Sequence, residues 1–205
     1  MTVKEQLLKD KILNKNEAAA IAKKACSSEA HFNELMMCFL SGEYRLAQRA
    51  AWCVSHAVAL QISFIFPYIK QLVNQLLRKD VHNAVIRNSL RILKQIHIPR
   101  QHHGEVMNAC FAFIEKSETP IAVKAFALSI LHKLSLIYPD IQQELEMIAA
   151  LHINNESAAI KSVAKKITGT LHKRKAPGIN NQSAKINKHD CKHDVASGKQ
   201  ANSTD

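Results

Sequence analysis

Apolar residues return along most of this chain at the spacing of a helix rather than a strand. Ile86, Leu90 and Leu93 stand at i, i+4 and i+7, and Val85, Ser89, Ile92 and Ile96 line the adjacent stripe. The same spacing carries Tyr68, Leu72 and Leu76, then Val106, Cys110 and Phe113, then Leu145, Ile148 and Leu151. Faces this wide are apolar enough to require burial against neighbours. Strict alternation is missing, and with only 5 Gly and 5 Pro the turn signals that bound short strands are scarce. The pattern predicts an all-α protein.

The helices also repeat. Leu46 to Val54 aligns with Ala84 to Ile92, that with Ile121 to Ser129, and a further copy starts at Ala158. A basic residue recurs at Arg49, Arg87, Lys124 and Lys161, at steps of 38, 37 and 37 residues. One antiparallel helix pair with its two turns has this length, so each copy is one unit of a stack whose neighbours bury its face. Before the repeats, Lys4 to Leu13, Glu17 to Cys26 and Glu29 to Leu40 read as shorter helices that cap the stack.

Boundary signals support the pairing. Pro67 and Pro139 suit first helical positions, and Pro99 stops the helix before it. The Thr119 hydroxyl is a candidate cap for the next helix, and Asp80 and Asn83 for the helix that carries Arg87. The resulting frame is a helical domain over 1–172, with capping helices in 1–40, repeats over 43–80, 81–117 and 118–155, and a closing helix over 156–172. After Lys173-Arg174-Lys175 the apolar period ends, and 173–205 holds too few large apolar residues to offset the entropy of ordering, so it reads as a disordered basic tail.

Ile86-Arg87, Val123-Lys124 and Ile160-Lys161 stand where the second helix of a HEAT repeat carries Val-Arg, and Ser89, Phe126 and Val163 lie near its small residue. The span from Ser41 to Leu171 resembles that family. Tyr44 to Trp52 and Ala122 to Phe126 are further similar to small bacterial HEAT-like proteins frequent in Bacteroidetes, a resemblance that brings no activity with it. It implies a right-handed α-solenoid of about four HEAT-like helical-hairpin repeats with an N-terminal helical cap. Two enzyme families do not fit the sequence. The serine loop Gly-Ser-Ser-x-Met-Pro-x-Lys-x-Asn of adenylosuccinate-lyase-type enzymes is missing, and Lys15-Asn16 lacks its preceding Ser and Pro. HEAT-like alkylpurine DNA glycosylases rely on aromatic and acidic cleft residues, and no Asp stands beside the single Trp52.

At 205 residues and 47% hydrophobic content the chain can close a sizeable core. The stretch from Val54 to Pro67 is interrupted by Ser55, His56, Gln61 and Ser63, so no run reads as a membrane span. The charged N-terminus lacks a secretory apolar core. Cys26, Cys38, Cys53, Cys110 and Cys191 are odd in number and far apart, four of them within apolar patterns, which suits reduced thiols. These features suggest a cytoplasmic monomer. The net charge of +11 draws disproportionately on residues from His172 onward, with 7 Lys and Arg against 3 Asp. It reads first as a solvated surface plus tail, and second as attraction to an anionic partner.

Candidate chemistry is sparse. His102-His103 point apart as neighbours on a helix must, and His189-Asp190-Cys191-Lys192-His193 falls in the tail, so no metal site is assigned. Ser55-His56 lacks an elbow glycine and an orienting carboxylate. No Gly-rich phosphate loop exists, and no cofactor is expected. Trp52 aligns with Leu90 and Ala127 and reads as core.

What remains is a basic row: Arg45 and Arg49 on one helix, Arg87, Arg91 and Lys94 on the next, then Lys124, Lys161 and Lys165. Arg45, Arg87, Arg91, Lys94, Lys161 and Lys165 are the candidate binding residues. The competing and favoured reading for Arg49, Arg87, Lys124 and Lys161 is hydrogen bonding within the stack. The expected function is a non-catalytic interaction module for a protein partner. The alternative is nucleic-acid binding by the basic ladder and tail.

Overall fold

The computed structural model describes residues 1–9, 11–155 and 157–175, apart from the side chains of 153–155 and 172–175. These fold into α1 (Val3–Leu8), α2 (Lys15–Ala25), α3 (Glu29–Phe39), α4 (Tyr44–Leu60), α5 (Ile69–Leu77), α6 (Asn83–Gln95), α7 (His103–Glu115), α8 (Ile121–Ser135), α9 (Gln142–Asn155) and α10 (Ala158–Lys175). Short 3-10 segments, Ile62–Tyr68, Arg100–His102 and Pro139–Ile141, lead into α5, α7 and α9. No strand occurs among the described residues.

Local chemistry starts the first helices. Thr2 and Asn14 each accept from the backbone of Glu5 and Glu17, whose carboxylates accept in return from the cap residue's N–H, so both helices open on reciprocal capping boxes. Ser28 caps α3 through the His31 N–H at 3.2 Å. Two sequence expectations fail here. The α6 cap is His82, whose Nδ1 accepts from the Ala84 N–H at 3.2 Å; Asp80 is instead held by Arg78 at 2.5 and 3.0 Å, and Asn83 is already inside the helix. α8 starts directly after Pro120 with no side-chain cap, so Thr119 does not serve it. Pro67 lies within the 3-10 segment before α5 rather than at the first position of the helix, while Pro139 does begin a 3-10 turn.

The packing is a row with a second layer behind it. α2, α4, α6, α8 and α10 pack each on the next, and α3, α5, α7 and α9 lie against α4, α6, α8 and α10 respectively. The chain is therefore an α-solenoid of stacked helix pairs. Arg49, Arg87, Lys124 and Lys161 all fall in the first two turns of the repeated row helices, as equal spacing demands. The pairs are α3 with α4, α5 with α6, α7 with α8 and α9 with α10, so the recurring helix is second in each pair. The frame of 43–80, 81–117 and 118–155 put it first. Periodicity reports the length of a unit but not which neighbour a helix folds back on.

The core runs without interruption from Val3 and Leu7 to Ile167 and Leu171. Phe32, Phe39, Leu72, Leu90, Leu93 and Leu128 are fully buried, each worth about 1.5–3 kcal/mol over an exposed side chain. Polar ties join successive units at their turns. Lys133 on α8 donates to the Ile96 carbonyl at the end of α6 at 2.5 Å, and the His103 ring bridges the Ile98 carbonyl at 2.7 Å and the Tyr138 hydroxyl at 2.9 Å. Each satisfies groups that a loop would otherwise leave unpaired. α10 continues to Lys175, past the 172 boundary expected for it. The remainder of the expected tail, 176–205, lies outside the described residues.

Candidate binding groove

Carboxylates are scarce on the row helices. α4, α6, α8 and α10 contain no Asp or Glu, and the row's only helical carboxylate is Glu17 of α2; behind them α5 also has none, whereas α3, α7 and α9 carry Glu29 and Glu34, Glu105 and Glu115, and Glu144 and Glu146. This bias is legible in the sequence once the helices are assigned to layers. The row face therefore presents its cations without carboxylates from its own repeat helices.

Where α1 turns into α2 the chain stands off from α4, leaving an open groove of about 700 Å³. Lys11, Ile12 and Leu13 form one wall, Tyr44, Arg45, Gln48, Arg49 and Trp52 the floor, and Ala84 and Arg87 of α6 the far wall. Ile12 is 77% exposed and Tyr44 61%, so the apolar part of the lining is open to an incoming group. Trp52 aligns with the fully buried Leu90 and Ala127, yet it is half-buried, packed on the core by one side and forming the groove by the other. The core expectation for Trp52 holds for only part of its ring.

The arginines divide into two kinds. Arg49 donates to the Leu7 carbonyl at 2.6 Å and the Lys11 carbonyl at 2.5 Å, and Arg45 to the Lys11 carbonyl at 3.0 Å. Cations there satisfy the carbonyls that end α1 and complement its dipole. The within-stack reading is right for Arg49. It is not for Arg87, which is exposed and whose guanidinium, like that of Arg91, has no hydrogen bond or ion pair among the described residues. Both project a field onto their surroundings: the His82 ring is held below its ordinary pKa by burial and by Arg87, and the His56 ring by burial, Arg91 and Lys15. His56 sits against Trp52, a residue of the groove, with ring centroids 5.9 Å apart.

The basic ladder does not run the length of the stack. Lys124 is 8% exposed, and the outer positions of α8 are taken by Ile121, Ala122 and the half-buried Phe126. Lys94 lies over the Phe126 ring, 5.6 Å from its centroid. Beyond the break, Lys161 is half-buried and Lys165 exposed on α10. The candidate residues thus fall into one group on α4 and α6 and another on α10. Repeat alignment sets helical phase, but Lys124 and Arg87, alike in phase, differ in depth.

The other candidates resolve into structural roles. Ser55 is buried with its hydroxyl unbonded, and His56 faces Trp52, so no serine-histidine pair is assembled. His102 reaches Glu105 at 3.2 Å while His103 serves Ile98 and Tyr138, so the two rings diverge. No group of three or more His, Cys, Asp and Glu suited to a metal occurs among the described residues. The thiols of Cys26, Cys38, Cys53 and Cys110 are free; burial pushes Cys53 up to about 12 and raises Cys110 further. His189, Cys191 and His193 lie outside the described residues. No helix among them is long and apolar enough to cross a membrane.

A family model described as a HEAT repeat domain matches residues 3–171. Comparisons with curated proteins and with solved structures found no match.

Proposed function

Because the chain belongs to the HEAT repeat domain family, whose stacked hairpins create extended surfaces for partners, we propose that it is a non-catalytic scaffold that binds a protein through the face of α4 and α6. The observation that carries this reading is the unengaged guanidinium of Arg87 in one groove with Trp52 and Tyr44, with that of Arg91 on the same helix. Arginine and aromatic side chains are the residue types that dominate protein interfaces. The candidate residues Arg45, Arg87, Arg91 and Lys94 belong to this face; Lys161 and Lys165 extend it only beyond the break at α8.

Affinity capture from native lysate tests the proposal. The intact chain enriches a protein over controls, and the doubly substituted Arg87→Glu, Arg91→Glu chain, equally folded by circular dichroism, loses it. Enrichment of nothing, or of the same proteins by both chains, contradicts it.

The nucleic-acid alternative draws on the same charge. A titration with generic duplex and single strand at low and physiological salt separates the two, because phosphate contacts weaken steeply with salt. Binding that survives truncation at Lys173 and falls for Arg91→Ala with Lys94→Ala transfers the surface to nucleic acid. Binding that disappears on truncation assigns it to the tail.

A further inference from the structure

The face of α4 and α6 is chemically narrower than a general scaffold surface. We propose that the groove between the α1–α2 link, α4 and α6 is a site for an extended acidic peptide segment of the partner, one that alternates carboxylates with apolar side chains. This rests on the scaffold reading and specifies what the scaffold holds.

Charge complementarity selects the occupant. α4 and α6, which form the floor and far wall, hold no Asp or Glu, and Lys11 adds a cation on the near wall. Arg87 stands on the far wall with its five N–H donors unengaged, and a guanidinium binds a carboxylate through two parallel hydrogen bonds. Arg91 and Lys15 place further positive charge beside the His56 ring that borders Trp52. An anion that reaches this groove meets several cations at once.

The apolar half of the lining adds a second requirement. Ile12, Leu13, Tyr44, Trp52 and Ala84 form a surface that a free phosphate or a highly charged strand leaves wet. An extended peptide sends successive side chains to opposite sides, so alternating residues set carboxylates toward Arg87 and apolar groups onto Trp52 and Ile12. Arg45 and Arg49, held against the ends of α1 and the following link, keep the near wall in place.

The break in the ladder decides against a nucleic-acid strand. Cations that track a phosphate backbone must recur along its path, and this row is interrupted at α8, where Lys124 is buried and Phe126 takes the outer position, before Lys165 on α10. The cationic surface around the groove spans the α1–α2 link, α4 and α6, and does not cross α8. A short segment fits it and a long polyanion does not.

Trp52 is the single tryptophan of the chain, so its fluorescence reports on the groove directly. The test is a titration of the full chain with a short synthetic peptide alternating Glu and Leu. Controls are the same peptide with Gln for Glu, one with Ser for Leu, and single-stranded oligothymidylate. The proposal expects a saturable shift of Trp52 emission with the Glu-Leu peptide, weakened by added salt, and at least tenfold weaker binding with the Gln peptide, the Ser peptide and the Arg87→Glu chain. Arg87 is exposed, so that chain should keep its melting temperature. No shift with the Glu-Leu peptide, or an equal shift in Arg87→Glu, overturns the proposal. Tighter binding of oligothymidylate that is lost in Arg87→Glu also overturns it, in favour of nucleic acid. If the peptide fails while lysate capture still depends on Arg87 and Arg91, the scaffold reading stands and the acidic segment is wrong.

Discussion

Arg49 reaches across 42 positions of sequence to place its guanidinium 2.6 Å from the carbonyl of Leu7. The guanidinium of its equivalent one repeat later, Arg87, has no hydrogen bond or ion pair among the described residues. Two residues that repeat alignment treats as one position have therefore separated into a structural tie and an open surface group. Arg49→Ala should lower stability by about 1.5–3 kcal/mol, since a charge-assisted hydrogen bond is removed and helix-end carbonyls are left without it. Arg87→Ala should stay within about 0.5 kcal/mol of the parent. Thermal unfolding followed by circular dichroism measures both, and equal losses for the two would contradict the division.

The field of the α6 arginines is measurable at His56. Burial, Arg91 and Lys15 all disfavour its charged ring, so the folded chain should titrate His56 below 6.5. The unfolded chain then takes up this proton first as the pH falls. Stability from this group is present above about 6.5 and is lost as the pH drops toward the folded value. A proton NMR titration of the His56 ring should show the low pKa, and Arg91→Ala should move it upward. A pKa unmoved by Arg91→Ala would place that arginine away from the groove.

Thiol chemistry should follow burial. Cys53, pushed up to about 12, and Cys110, wholly buried, carry almost no thiolate at pH 8, while Cys26 is half-buried with its thiol on the Ala57 carbonyl. Alkylation mapped by mass spectrometry should label Cys26 before Cys53 and Cys110, which react only on unfolding. The same shift makes Cys53 stabilising below pH 9 and progressively less so between 9 and 12.

Packing predicts where the stack is weakest to truncation. Leu90 is fully buried where the row helix α6 meets its neighbours, so Leu90→Ala should cost about 2–5 kcal/mol. Exposed Lys94→Ala should cost far less, losing only its place over Phe126, worth about 0.5–1 kcal/mol at an exposed site. Urea unfolding of the two variants checks the contrast.

Helix class, repeat length and the row of Arg49, Arg87, Lys124 and Lys161 could be read from the sequence because a buried face must recur at helical period. The pairing frame could not, since apolar stripes on α5 and α6 look alike whichever helix folds back on which. Lys124 shows a second limit: its phase matches Arg87, yet it is buried while Arg87 is exposed. Trp52 shows the converse, matching the buried Leu90 in phase while the α1–α2 link leaves one side of its ring open. The absence of Asp and Glu from four row helices was present in the sequence and acquires meaning only once those helices stand side by side.

Hydroxyl-radical footprinting of the chain with its captured protein partner tests the binding face most directly. Oxidation of Tyr44 and Trp52 should fall on complex formation while that of Leu77 and Phe113, on the separate groove between the α5–α6 and α7–α8 links, stays unchanged. Protection of Leu77 and Phe113 with Tyr44 and Trp52 unaltered would contradict the account.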